Sequence, residues 1–166
     1  MKNSISADLS NILGGLECEC NFIYKVSSKS VFKDQDRDTD KEFVLYFILS
    51  KGTMQEAFTS FDQAPVLNIE NCFYVGHTGA FGHLTSRSTP ISVQEEMLYV
   101  YQEELDESNY SPENYKYSWP LSELEFIICY IDSKKYKGKG ERNNLRNEII
   151  KNQLGFLPKG NSRLKI

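Results

Sequence analysis

Three residues within four positions, Tyr74, Gly76 and His77, could do chemistry together. They close the run Asn71-Cys72-Phe73-Tyr74-Val75-Gly76-His77-Thr78-Gly79. Cys72 to Val75 is apolar or aromatic and ends on a β-branched residue, which predicts a short strand. Gly76 stops the run, and His77-Thr78-Gly79 predicts a turn. A phenol, a backbone free of Cβ and an imidazole at one strand end can make a site. The plain alternative is a buried strand with a Tyr on its packed face. A second feature lies further on. Residues 134–166 hold ten basic and two acidic side chains, a net +8, against −12 over the first 133 and −4 overall. A basic segment on an acidic body offers a phosphate-binding face. A solvated helix surface has the same composition.

Two other patterns are weighed and set aside. Cys18-x-Cys20 is too tight for a zinc knuckle and has no second pair, so no metal cluster is expected there. Cys72 and Cys129 sit in apolar runs and predict buried core thiols. Asp34, Asp36, Asp38 and Asp40 alternate with other residues, but the Gly and terminal Glu of a calcium loop are missing.

The elements that must position these residues follow from length and pattern. The chain of 166 residues predicts one domain, with 1–41 as an N-terminal arm or extra strand and 42–161 as the core. Strands are predicted over 21–26, 42–50, 72–76 and 124–131. The almost wholly apolar 42–50 suits a strand buried on both faces. A helix is predicted from about Phe81 to a break at Pro90, and a second over 92–105, with Ser92 as N-cap and Glu95 completing a capping box. Residues 106–120 predict loop, and 134–140 a basic, Gly-containing loop. A last helix is predicted over 141–154, burying Leu145, Ile149 and Ile150, with Gly155 ending it and Pro158–Asn161 as a turn. The expected fold is α/β (α+β), with a small, mainly antiparallel three-stranded core sheet flanked by helices in the order β-β-α-β-α. No apolar run approaches the ~20 residues of a membrane span. The N-terminus lacks an apolar signal core, so no membrane partner and a cytoplasmic location are expected.

On that skeleton Tyr46, Tyr74, His77, Arg87, Glu148 and Asn161 fall at element ends. In this order and setting the set resembles the GIY-YIG nucleases. Val44-Leu45-Tyr46 stands where that family has Gly-Ile-Tyr, and Tyr74-Val75-Gly76 where it has Tyr-Ile-Gly. Arg87 is similar to the Arg of the family's first helix, Glu148 to the Glu that opens an apolar helical run, and Asn161 to the Asn after the final turn. His77 directly after the motif Gly is similar to small restriction endonucleases of the family. The resemblance covers roughly 42–161. It departs at Val44, at the 28-residue tyrosine spacing, and at Ile91, where the family has a His or Tyr one turn after the Arg. His83 or His77 takes that role. A rival register uses Ile23-Tyr24 as the first motif.

The resemblance implies a metal-dependent DNA endonuclease, restriction-type, possible as a homodimer that cuts both strands. Phosphodiester hydrolysis needs an activated water, a Lewis acid and charge stabilisation. Glu148 is then the ligand of one Mg²⁺ or Mn²⁺, and Arg87 binds the scissile phosphate. Tyr46 or Tyr74 positions the water or acts as base, His77 assists proton transfer, and Asn161 fixes the phosphate or Glu148. Gly76, His83, Lys139, Arg142, Arg146 and Lys151 are the expected substrate contacts. Two other classes stay open: a catalytically silent nucleic-acid-binding or accessory protein on the same fold, and an acidic protein that binds a basic partner.

Overall fold

The computed structural model describes residues 18–23, 40–51, 72–79, 91–101 and 115–161. Its organising element is a four-stranded antiparallel sheet built from β1 (Glu19–Ile23), β2 (Glu42–Ser50), β3 (Cys72–Thr78) and β7 (Leu124–Asp132), in the order β1-β7-β2-β3. β2 and β7 take the centre because they are the most continuously apolar strands. Phe43 to Leu49 and Leu124 to Ile131 are buried without a break. Such runs fit strands that are covered on both faces. Nine residue pairs, from Glu42↔Asp132 to Ser50↔Leu124, hold the two together.

Each face has its own cover. A second sheet of β4 (Ile91–Gln94), β5 (Met97–Tyr101) and β6 (Tyr115–Pro120) supplies Ile91, Val93, Leu98 and Val100 to a core with Val44, Tyr46, Ile48, Tyr74, Phe126 and Ile128. The helix α1 (Lys139–Glu148), continuing as a π-helical turn over Ile149–Leu154, covers the other face. There Leu145, Ile149 and Ile150 pack with Phe43, Leu45, Phe47, Val75, Ile127 and Cys129. The layers are therefore sheet, sheet and helix. The helix closes at Gly155, which has a left-handed φ of 79° and donates its N–H to the Ile150 carbonyl at 3.0 Å.

The α+β class and the antiparallel pairing of the tyrosine-bearing strands hold, but four expectations need correction. Gly76 does not end its strand: pairing with β2 carries β3 on through His77 to Thr78, where a turn was expected. The core sheet has four strands, not three, because β1 joins β7. The helix expected over 92–105 is instead the β4–β5 hairpin. Ser92 is a buried strand residue, not an N-cap, and Glu95 forms the turn with a positive φ of 55°. Ile91, Val93, Leu98 and Val100 read as a strand period on either side of that turn, and packing against the main sheet overrides the helical signal. The predicted loop also contains β6, whose Trp119 pairs with Leu98. Arg87, His83 and the helix predicted from Phe81 lie outside the described residues. Among the described residues no helix is long and apolar enough to cross a membrane.

Candidate active site

β2 and β3 run antiparallel with Tyr46 opposite Gly76 and Ile48 opposite Tyr74. Tyr46 and Tyr74 are thus diagonal neighbours on one face, and their rings stack with centroids 5.8 Å apart and planes 26° from parallel. Both are buried, at 2% and 5% exposure, between the two sheets. Gly76 makes the arrangement possible. A Cβ at that position would lie 2.5 Å from Tyr46 Cζ, Tyr46 Oη and Tyr74 Cε1, closer than any side chain tolerates. Both rings therefore crowd the space over Gly76, two residues short of the end of β3.

The turn at Lys159–Asn161 is pressed against the outer edge of β3. A Cβ on Gly160 would meet the Phe73 carbonyl at 2.8 Å and Tyr74 Cδ2 at 2.9 Å. This close approach brings Asn161 alongside Val75. Its Oδ1 accepts from Val75 N–H at 2.8 Å and its Nδ2 donates to Val75 O at 2.9 Å. Asn161 completes the edge of β3 as a neighbouring strand would, satisfying two backbone groups that burial would otherwise strand. It is a positioning residue behind Tyr74. Its amide is directed at backbone.

His77 belongs to the other face. It pairs with Leu45, which packs under α1, while its neighbour Gly76 packs with the tyrosines. Its Nε2–H donates to Asn143 Oδ1 at 2.5 Å, since an amide oxygen only accepts, which makes Nδ1 the acceptor nitrogen of the neutral ring. Burial lowers its pKa from the ordinary 6.5; the Asn143 bond opposes this, and Arg146, Arg142 and Lys139 add to the lowering. These three cations are the predicted phosphate contacts of this helix. Arg142 is further fixed by an Nε–H bond to the Tyr136 carbonyl at 3.0 Å and by its place 4.5 Å from the Phe43 ring centre. The result is a neutral base set against a helix face of concentrated positive charge, an arrangement suited to an anion. Lys151 and Glu148 are both exposed; Glu148 is the last residue of α1, where the helix passes into its π turn.

The tyrosines, Gly76 and Asn161 therefore come together, and His77, Lys139, Arg142 and Arg146 come together, with the β2–β3 ladder between the groups. Glu148 stands on the helix that covers the His77 face. Three features are visible only in the fold. Asn143 holds His77, and only the packing of α1 against β3 reveals it. Phe73 stacks on Trp119 (5.1 Å, 4°) and Trp119 on Tyr117 (5.8 Å, 17°), with Lys159 Nζ 5.0 Å from the Tyr117 ring centre. This half-buried aromatic ladder joins the two sheets beside the turn that bears Asn161. The third feature is a thiol cluster. Cys129, expected as an inert core thiol, lies against Cys20 (Sγ–Sγ 3.4 Å), and Cys20 against Cys18 (3.7 Å). Hydrogen bonds from Cys129 and Cys20 hold the Cys18 thiol down at about 4, against the opposing effect of burial.

No family model matches the chain, and neither a curated protein nor a solved structure matches it.

Proposed function

We propose that the protein is a metal-dependent endonuclease that hydrolyses DNA phosphodiester bonds, with β2, β3 and β7 as the counterparts of the three core strands of a GIY-YIG-like nuclease and α1 as that of its last helix. The observation that carries this is the Tyr46–Tyr74 stack closing on Gly76, with Asn161 locked behind it. Four residues matched by sequence motif meet at one strand end, where a Cβ on Gly76 would overlap both rings. The basic face around His77 supports it further, since it supplies cations for a phosphate backbone on the next side of the same strand.

In this mechanism Lys139, Arg142 and Arg146 attract and orient the phosphodiester. Neutral His77, its tautomer fixed by Asn143, accepts a proton at Nδ1. A tyrosine hydroxyl at Gly76 positions the attacking water. Arg87 completes the phosphate clamp. Glu148, an exposed carboxylate, would hold a hard divalent ion, whose preference is for oxygen ligands. When bound, Mg²⁺ or Mn²⁺ would supply Lewis-acid stabilisation of the developing charge. The test is nicking of supercoiled plasmid by purified protein with Mg²⁺. Cleavage should fall by about 100-fold or more in both Glu148→Ala and Tyr74→Phe. Equal activity in wild type and Glu148→Ala removes the proposal.

One observation favours a second function, binding of nucleic acid without cleavage. Glu148 belongs to the helix on the face opposite the tyrosines, while the Phe73–Trp119–Tyr117 ladder with Lys159 has the make-up of a base-stacking platform. Salt-sensitive DNA retention with no nicking in any divalent ion would select it.

A further inference from the structure

The edge of the main sheet farthest from β3 carries chemistry that the nuclease proposal does not use. Cys18 directly precedes β1 and Cys20 lies within it, two residues apart, so both project to one face. The β1–β7 register sets Cys20 directly opposite Cys129. Residues 109 apart in sequence are thereby brought to one spot on the helix-covered face. The three Sγ atoms all lie within 4.8 Å of one another, with two separations of 3.7 and 3.4 Å. Sulfurs bound to one tetrahedral ion at ~2.3 Å stand about 3.8 Å apart. Two of the three separations lie within about 0.4 Å of that spacing, and the third is within 4.8 Å.

We propose that Cys18, Cys20 and Cys129 form a three-thiolate site for a single thiophilic metal ion of the zinc(II) class. The donor chemistry selects the metal. Three sulfurs with no carboxylate or imidazole among them favour zinc, cadmium or copper(I) over magnesium, calcium or manganese. Cys129 is fully buried, whereas Cys18 and Cys20 are half-buried. That asymmetry anchors the ion on β7 and turns the fourth position toward the Cys18 side; among the described residues no fourth side chain joins the three thiols. The site would also fasten β1, a five-residue edge strand, to the centre of the sheet. Binding energy then adds to folding energy, as at structural zinc sites. This proposal stands apart from the nuclease proposal, since it involves none of the same residues and the opposite edge of the sheet.

The test uses the full chain, reduced and stripped with a chelator, then titrated with Zn²⁺ against a chromophoric competitor and with Cd²⁺ followed by its sulfur-to-metal absorption. One ion per chain is expected, with Cys18, Cys20 and Cys129 protected from a thiol reagent and Cys72 equally reactive with and without metal. Cys18→Ala and Cys20→Ala, whose side chains are half-buried, should keep the wild-type circular dichroism spectrum. Each should bind Zn²⁺ more weakly by about 100-fold or more, at least the upper end of what losing a supporting partner costs a metal site. Cys72→Ala should bind as wild type. Wild-type affinity in Cys18→Ala, an equal loss in Cys72→Ala, no uptake at stoichiometric Zn²⁺, or a Cys20–Cys129 disulfide in Zn²⁺-treated protein would each overturn the site.

Discussion

The two faces of β3 put neighbouring residues to different physical uses. Gly76 and Tyr74 face the small sheet, where contact distances decide what is allowed. Val75 and His77 face α1, where His77 meets charge. Tyr74 and His77 are three positions apart in sequence yet separated by the pleat, because successive side chains of a strand alternate in direction. Proximity in sequence therefore does not make them one cluster. What joins them is the strand itself, held straight by Asn161 at Val75 between the two. A ligand that engages both must wrap the strand end at Gly76–Thr78.

If the tyrosine face is governed by packing, its weakest point is Gly76, and the largest effect is expected there. Gly76→Ala drives a methyl into Tyr46 and Tyr74 at 2.5 Å, and the rings are backed by Leu98 and Val100 of the other sheet. Overpacking of this kind costs about 3 kcal/mol. Chemical denaturation should show that loss, with a change in tyrosine near-ultraviolet dichroism. A loss below about 1 kcal/mol would mean the rings move aside freely and the contrast between the faces is wrong.

Asn161→Ala comes next. It leaves the Val75 N–H and C=O without their partners in a buried setting. A cost of about 2 kcal/mol is expected, because each orphaned group loses its bond and does not regain water. Hydrogen exchange separates this from general loosening: the Val75 amide should lose its protection while amides of β7 keep theirs. Uniform loss across the sheet would deny Asn161 its place as a local strand substitute.

What was legible in the sequence divides along similar lines. β2 and β7 announce themselves through long apolar runs, interrupted in β7 only by Glu125, and α1 with its π turn through Leu145, Ile149 and Ile150, since burial dictates those patterns. Tyr46, Tyr74 and Gly76 were found by motif, and their contact needs only the β2–β3 register. The β4–β5 hairpin was read as a helix because its turn, Glu95-Glu96, has neither the Gly nor the Asn that usually marks a tight turn, and Ser92 with Glu95 imitates a capping box. Glu95 is held at positive φ by strand pairing and packing on both sides, a cost that local sequence does not reveal. The thiol cluster was missed for a similar reason. Cys129 meets Cys20 only because the first strand pairs with the last, and nothing local to either residue encodes that.

The helix-covered face should answer to pH through His77. His77 has a lowered pKa when folded, chiefly through burial. Above the ordinary 6.5 both folded and unfolded forms are neutral and His77 contributes no slope. As pH falls below 6.5 the unfolded chain takes up a proton that the folded chain resists, so stability declines down through the lowered folded value. Denaturation midpoints measured between pH 7 and 5 should fall for wild type more steeply than for His77→Asn. Parallel profiles would mean that His77 is not protected from protonation.

The smallest effect sharpens the cause of that shift. Burial and charge both lower the His77 pKa, and Arg146 is the leading charge. Arg146→Gln removes one cation and leaves the burial of the ring in place, so the His77 midpoint, followed by its imidazole NMR signals, should move upward toward 6.5 without reaching it. Added salt should do the same in wild type and less in the variant, where only Arg142 and Lys139 remain to be screened, because screening acts on the charge and not on burial. Chemical shifts of the Tyr46 and Tyr74 rings should stay unchanged in both experiments, since those rings answer to the small sheet and to Gly76. Movement of the tyrosine signals along with His77 would show that the two faces titrate as one site, coupled through the strand end, and would favour a single catalytic centre over two neighbouring environments.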